Sequence, residues 1–166
     1  MISKMSVSKK VILIGHFGVG KSSLVKRFVH QKFSDDYITT IGVKIDKRVV
    51  NLDGLEVNMI IWDIAGEDTQ KKVPASYRLG AHGAMYVFDV SRPSTFENLD
   101  QELAYLNEII PNIPIQILAN KCDLLSETDR IAVLDSISQH PVFQTSAKTG
   151  DHVVEAFELL AKSMVS

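Results

Sequence analysis

The chain alternates between short apolar runs and segments whose apolar residues recur at helical spacing. Five runs are rich in apolar residues: 11–14, 57–64, 84–90, 115–120 and 141–146. Several of them are nearly continuous, which is typical of strands buried on both faces of a parallel sheet. The pattern therefore predicts an α/β fold in which strands and helices alternate.

Two further segments have the periodicity of amphipathic helices. Residues 94–110 open with Ser94 and Glu97, which have the spacing of a capping box. One face of this predicted helix carries Phe96, Leu99, Leu103 and Leu106. The last segment repeats the rhythm at Val153, Ala156, Phe157 and Leu160. We therefore expect helices that each bury one face against the sheet.

Residues 44–64 are an exception to the alternation, because two strand-like runs flank Asp53-Gly54 there. An Asp-Gly pair between two such runs indicates a tight β-hairpin. We therefore expect a six-stranded, mostly parallel sheet with one antiparallel edge strand and helices on both faces. The prediction is one α/β domain covering residues 1–166.

The net charge, the single cysteine and the two chain ends limit the partners and the location that we expect. The 166 residues have a net charge of −2 and no run of basic residues, so we expect no nucleic-acid interface. Cys122 is the single cysteine, which excludes an internal disulfide. The N-terminus has no signal-peptide core, Ile2 excludes myristoylation, and the C-terminus has no cysteine to prenylate. We expect a cytoplasmic protein that reaches membranes only through an anchor or partner outside this chain.

The segment GHFGVGKS, residues 15–22, has the spacing of a phosphate-binding loop between a strand and a helix. Its glycines allow backbone N–H groups to surround phosphate oxygens at a helix N-terminus. We expect Lys21 to pair with the β- and γ-phosphates and Ser22 to ligate Mg²⁺. The predicted phosphate-binding residues are Gly15, Phe17, Gly18, Val19, Gly20, Lys21, Ser22 and Ser23.

Two later segments, NKCD at 120–123 and TSAK at 145–148, predict which base is bound. The carboxylate of Asp123 can accept hydrogen bonds from N1–H and the 2-amino group of guanine. Adenine offers neither donor, so its binding would leave buried polar groups unpaired. The Ala147 N–H could donate to the guanine carbonyl oxygen. We expect guanine to be bound by Asn120, Lys121, Asp123, Ser146, Ala147 and Lys148.

Together these motifs resemble the Ras superfamily of small GTPases, most closely its Rab branch, over essentially the whole chain. The resemblance implies the small G-protein version of the P-loop NTPase fold. Residues 37–42 resemble the first switch segment, which implies that Thr40 ligates Mg²⁺ and senses the γ-phosphate. The same resemblance places Phe33 beside the guanine and Tyr37 over the phosphates.

Residues 62–66, WDIAG, resemble the second switch segment of this superfamily. The resemblance implies that Asp63 holds Mg²⁺ through a water molecule. It also implies that the Gly66 N–H contacts the γ-phosphate. With Ser22 and Thr40, Asp63 completes the expected metal site.

The sequence departs from the family pattern at two positions of the catalytic centre. Glu67 stands where the family usually has a glutamine that orients the attacking water. A carboxylate keeps the acceptor, loses the N–H donor and adds negative charge beside the phosphates. Phe17 stands where the family has a small residue, and its bulk lies where an activator's arginine would enter. We expect slow hydrolysis involving Glu67, Gly66, Thr40 and Lys21, with an atypical response to arginine-finger activators.

Three functions fit these observations. The first is a monomeric GTPase switch that binds GDP or GTP with Mg²⁺. It would signal to effectors and exchange factors through residues 34–43 and 64–78. The second is a pseudo-GTPase, a GTP-binding interaction module without useful turnover, which the two departures favour. The third is another P-loop NTPase, such as a nucleotide kinase or ATPase, which the guanine-specific segments disfavour.

Overall fold

A computed structural model describes residues 3–35, 40–66 and 73–166, and within them six strands form one sheet. The strand order is β2-β3-β1-β4-β5-β6. The strands are β1 (Met5–Gly15), β2 (Val43–Leu52), β3 (Leu55–Ile64), β4 (Gly83–Asp89), β5 (Ile115–Asn120) and β6 (Val142–Gln144). All neighbouring pairs are parallel except β2 with β3. The predicted mostly parallel sheet with an antiparallel edge strand is therefore confirmed.

The hairpin between β2 and β3 follows from its two central residues. Asp53 has a φ of 47° and Gly54 a φ of 91°. Two successive positive φ angles are what a tight hairpin turn requires, and an Asp-Gly pair adopts them at low cost. The turn sets the register in which Leu52 pairs with Leu55.

Helices cover both faces of the sheet, as predicted. The helices are α1 (Lys21–His30), α2 (Ala75–Arg78), α3 (Leu99–Ile109), α4 (Glu127–Ser136) and α5 (Val153–Val165). Helices α1 and α5 contribute to one apolar cluster, and α3 contributes to a second cluster. Strand β1 is buried on both faces, since Val11 and Leu13 belong to the first cluster and Ile12 to the second.

The predicted capping box at Ser94 and Glu97 is wrong, because α3 begins only at Leu99. A 3-10 turn, Pro93–Thr95, precedes the helix. Its buried Thr95 hydroxyl donates to the carbonyl oxygens of Asp89 and Arg92 at 3.1 and 2.8 Å. These bonds hold the segment against the end of β4, so it does not continue as α-helix.

Strands β1 and β6 differ most in length from the predicted runs. Strand β1 extends back to Met5, because polar residues before the apolar run pair with β3 in a register that joins Met5 to Leu55. Strand β6 ends at Gln144, since Ser146 donates its backbone N–H to Asp151 in a turn and not to a strand. In the described part of the chain, no helix has both the length and the apolar character needed to cross a bilayer.

Candidate functional site

The carboxyl ends of the parallel strands meet at one edge of the sheet, where ligands bind in open α/β folds. Strands β1, β4 and β5 end there at Gly15, Asp89 and Asn120. A cleft at this edge is lined by predicted site residues from distant parts of the chain. These are Phe17, Gly18, Gly20, Lys21, Ser22, Ser23, Phe33, Thr40, Asp63, Gly66, Asn120, Lys121, Asp123, Ala147 and Lys148.

Three predicted binding residues do not line the cleft. Gly15 ends β1, and Val19 is fully buried in the core. Ser146 is also buried, and its hydroxyl donates to Asp123 Oδ1 at 2.7 Å. Two further predictions, Tyr37 and Glu67, lie outside the described residues.

The phosphate loop has a partner for each of its carbonyl oxygens from Gly15 to Gly20. Lys21 Nζ donates to the first two, at 2.9 and 3.0 Å. The remaining donors are Arg92 to Phe17, Lys121 to Gly18, Asn120 to Val19 and the Leu24 N–H to Gly20, all between 2.8 and 3.1 Å. A loop that binds anions through its N–H groups needs such partners for its carbonyl groups.

Two glycines of the site allow contacts that a side chain would prevent. A Cβ at Gly20 would lie 2.3 Å from the Asn120 Nδ2, and the residue has a φ of 101°. A Cβ at Gly66 would lie 2.6 Å from Lys21 Nζ and 2.7 Å from the Phe17 Cα. The second switch segment therefore reaches the phosphate loop by direct backbone approach.

Lys21 is a buried cation, with 6% of its surface exposed. Burial lowers its pKa to about 8, while the negative charge of Asp63 acts in the opposite direction. An anion bound beside the Lys21 ammonium group would stabilise its charged form. This is the electrostatic property that a phosphate-binding lysine needs.

Oxygen atoms of Ser22, Thr40 and Asp63 converge at one wall of the cleft. The Ser22 and Thr40 hydroxyl oxygens are 2.8 Å apart, and the Ser22 hydroxyl also donates to Asp63 Oδ2. Asp63 Oδ1 is buried and has no hydrogen-bond partner among the described residues. Burial also raises the pKa of this carboxyl group. Two hydroxyls and a carboxylate with an unsatisfied oxygen fit a hard cation such as Mg²⁺.

Asn120 connects the phosphate loop with the predicted guanine-binding segment. Its side chain is 1% exposed and donates to the Val19 carbonyl at 3.0 Å. Its Oδ1 accepts from the Thr145 hydroxyl at 3.1 Å and from the Ala147 N–H at 3.3 Å. One amide thus holds both segments in a fixed relation across the end of β5.

Arg27 is a supporting residue that the sequence patterns did not reveal. From α1, its Nε donates to the Ala147 carbonyl at 2.8 Å, and its Nη2 donates to the Lys148 carbonyl. The backbone of the predicted base-binding segment is therefore attached to the helix that follows the phosphate loop. A polar residue in an amphipathic helix gives no local signal of such a role.

Two of the three predicted aromatic site residues, Phe33 and Phe17, differ in exposure. Phe33 is half-buried, packs against the core cluster of α1 and α5, and lines the cleft. Phe17 also lines the cleft and is 49% exposed. Its phenyl ring therefore adds exposed bulk to the lining of the cleft.

Comparisons with known proteins show the family to which the chain belongs. Residues 10–166 match the model of the Ras family. The chain is 36% identical over 163 residues to Ras-related protein Rab-1C of Dictyostelium discoideum, covering 93% of this chain and 80% of that protein. It is 38% identical over 156 residues to RABD2c of Arabidopsis thaliana, covering 89% and 76%. It is 33% identical over 168 residues to mouse (Mus musculus) Ras-related protein Rab-7b, covering 97% of this chain and 84% of that protein.

Proposed function

Because the chain belongs to the Ras family and is a Rab-like small GTP-binding switch protein, we propose that it cycles between GDP and GTP and hydrolyses GTP slowly. The observation that carries the proposal is one cleft that joins Lys21 of the phosphate loop to Asp123 of the base-binding segment. Asn120 holds these two parts together. A binding module for either phosphate or base alone would not need that connection.

Guanine is the proposed base because Asp123 offers a carboxylate in the cleft. Ser146 donates to one of its oxygens, which orients the group without using all its acceptor sites. Guanine would supply the two remaining donors from its N1–H and 2-amino groups. Adenine would leave the carboxylate facing a lone pair, and such mismatches are costly when water is excluded.

Mg²⁺ is the proposed metal, held by Ser22, Thr40 and Asp63. When bound, it would neutralise part of the phosphate charge. The Ser22 and Thr40 hydroxyls supply neutral oxygens. Asp63 supplies the negative charge and an oxygen that otherwise lacks a partner among the described residues.

We assign signalling to two segments, residues 34–43 and 64–78. Thr40 and the Gly66 N–H would contact the γ-phosphate, and its loss would release both segments. Exposed apolar side chains accompany them: Ile41 is 91% exposed, Ile45 51% and Leu79 78%. Exposed apolar side chains in and beside the two segments favour protein partners, which we take to be effectors and exchange factors.

Turnover is proposed to be slow because of Glu67 and Phe17. The carboxylate of Glu67 lacks the N–H donor of a glutamine and repels the phosphates. The Phe17 ring is half-exposed at the cleft, where an activator's arginine would have to enter. Lys21, Thr40 and Gly66 would still stabilise charge on the transferring group. The same two positions favour the second candidate, a GTP-binding module without useful turnover.

The binding part is tested by titrating purified protein with fluorescent GDP, GTP, ADP and ATP in the presence of Mg²⁺. We expect dissociation constants for guanine nucleotides in the micromolar range or below, and adenine nucleotides at least about a hundredfold weaker. Tight ATP binding without GTP binding would overturn the proposal in favour of another NTPase. Absence of binding to either nucleotide would overturn it altogether.

The turnover part is tested by single-turnover GTP hydrolysis, followed over hours by phosphate release. The variants are wild type, Phe17→Gly, Glu67→Gln and the double variant, each with and without an arginine-finger activator. We expect the double variant to respond to the activator and the wild type not to respond. Equal acceleration of both would refute the atypical response. Zero release by the wild type would select the module without turnover.

A further inference from the structure

Two cations bind consecutive carbonyl oxygens of the phosphate loop. Lys121 Nζ donates to Gly18 at 2.8 Å, and Arg92 Nη1 donates to Phe17 at 3.1 Å. Lys121 belongs to a recognised guanine-binding motif, but Arg92 belongs to no motif found in the sequence. Its role requires a separate explanation.

A buried carboxylate anchors both cations. Asp89, at the end of β4, is 1% exposed, and its Oδ2 lies 3.2 Å from Lys121 Nζ and 3.9 Å from Arg92 Nη1. Its Oδ1 accepts from the backbone N–H and the hydroxyl of Ser91 at 2.9 and 2.6 Å. The turn at Ser91 therefore fixes the orientation of the Asp89 carboxylate, and this carboxylate at the end of β4 holds both cations.

The backbone of Arg92 is also held in place. Its N–H donates to the Asp89 carbonyl at 3.0 Å, and its own carbonyl accepts from the buried Thr95 hydroxyl at 2.8 Å. Pro93 follows and restricts the backbone further. A side chain that starts from a fixed backbone and has an anchored charge loses less freedom when it binds a carbonyl.

The carbonyl that Arg92 holds belongs to the part of the loop beside the second switch. A Cβ at Gly66 would lie 2.7 Å from the Phe17 Cα and 2.6 Å from Lys21 Nζ. Arg92 itself is not among the residues that line the cleft. It therefore acts through Phe17 and not on the nucleotide directly.

We propose that Arg92 is a positioning residue for the GTP-bound form, which fixes the Phe17 backbone beside Gly66 and thereby slows the release of GTP more than that of GDP. The inference rests on the proposed function, in which Gly66 and Lys21 contact the γ-phosphate. Lys121, which holds the neighbouring Gly18 and lines the cleft, serves as the comparison because its loss should accelerate the release of both nucleotides.

The experiment measures dissociation of fluorescent GDP and of a fluorescent non-hydrolysable GTP analogue after a chase with excess unlabelled nucleotide. Wild type is compared with Arg92→Ala, Arg92→Lys and Lys121→Ala. Lys162→Ala is the matched control, because it removes an exposed positive charge from α5. Thermal unfolding of each variant shows that the fold is retained, as expected for Arg92, whose side chain is 44% exposed.

We expect Arg92→Ala to release the GTP analogue about three- to tenfold faster, the range for losing one partly exposed hydrogen bond from a charged donor. GDP release should change less than about twofold, because GDP has no phosphate at the Gly66 end. Arg92→Lys should recover most of the wild-type rate, since an ammonium group can donate to the same carbonyl. Lys162→Ala should match wild type.

Two results would overturn the inference while leaving the proposed function intact. One is an Arg92→Ala variant that releases the GTP analogue at the Lys162→Ala rate. The other is equal acceleration of both nucleotides, which would indicate a general loss of loop stability. A wild type that binds neither nucleotide would instead overturn the proposed function, and this inference with it.

Discussion

The most informative single substitution is Asn120→Ala, because one buried amide joins the two halves of the site. The change removes the bond to the Val19 carbonyl at 3.0 Å and those from Thr145 and Ala147 at 3.1 and 3.3 Å. A net hydrogen bond contributes about 1 kcal/mol, and a buried group left unpaired costs about 1–3 kcal/mol. We therefore expect a loss of about 2–4 kcal/mol in the free energy of unfolding, a large part of the about 5–15 kcal/mol typical of a domain.

Urea denaturation of the nucleotide-free protein measures this loss, since bound nucleotide itself adds stability that a more weakly binding variant would lose. Asn58→Ala is the matched control, because its half-buried amide also joins two segments, β3 and β1, but lies outside the cleft. The free energy of unfolding of Asn58→Ala should fall by less than about 1 kcal/mol. GDP release should accelerate only in Asn120→Ala. Equal destabilisation of the two variants would refute the assignment of Asn120 as the connection between phosphate and base segments.

Two further variants test other parts of the molecule. Arg27→Ala should destabilise the protein by about 1–3 kcal/mol and accelerate GDP and GTP release equally. The reason is that the predicted base-binding backbone at Ala147 loses its attachment to α1. Unchanged release of both nucleotides would contradict this prediction. The second concerns His82, whose ring accepts from the Lys10 N–H at 2.9 Å and whose pKa is lowered by burial and by the charge of Lys9. Because the pKa of His82 is lower in the folded protein than in the unfolded chain, the unfolded chain binds the proton at a higher pH. The free energy of unfolding should therefore fall as pH drops from about 7 towards 5. In urea titrations, His82→Gln should reduce the slope of the free energy of unfolding against pH. An unchanged slope would contradict the prediction for His82.

The positive charge on and beside the phosphate loop makes a substitution of Glu67 informative. Lys21 Nζ, Lys121 and Arg92 place three cations on or beside the phosphate loop. An additional carboxylate from Glu67 would act against them near the transferring phosphate. We expect the balance of these charges to decide between a slow GTPase and a module without turnover, and the Glu67→Gln comparison tests this expectation.

Local patterns determined most of the fold. Continuous apolar runs predicted the buried strands, and the Asp53-Gly54 pair predicted the antiparallel hairpin, because both depend on residues that are neighbours in the chain. The capping box at Ser94 failed because a neighbouring side chain makes a competing contact. The Thr95 hydroxyl donates to the Asp89 carbonyl at the end of β4, and the helix begins only at Leu99.

The candidate site also contains parts that the sequence predicted and parts that it did not predict. The phosphate loop and the guanine motif were found by spacing, because each needs several residue types within a few positions. The long-range hydrogen bonds that hold them together were not predicted, although Asn120 itself was named as a guanine-binding residue. Asn120 reaches Val19 across 101 positions, Arg27 reaches Ala147 across 120 and Arg92 reaches Phe17 across 75.

Local sequence patterns are thus enough to predict the class of fold and the chemistry of each motif, whereas the side chains that support the motifs, and their geometry, are known only from the folded chain. Periodicity and turn chemistry act between chain neighbours. A hydrogen bond between distant segments depends on the register and twist of a whole sheet, and these result from the packing of both apolar clusters at once.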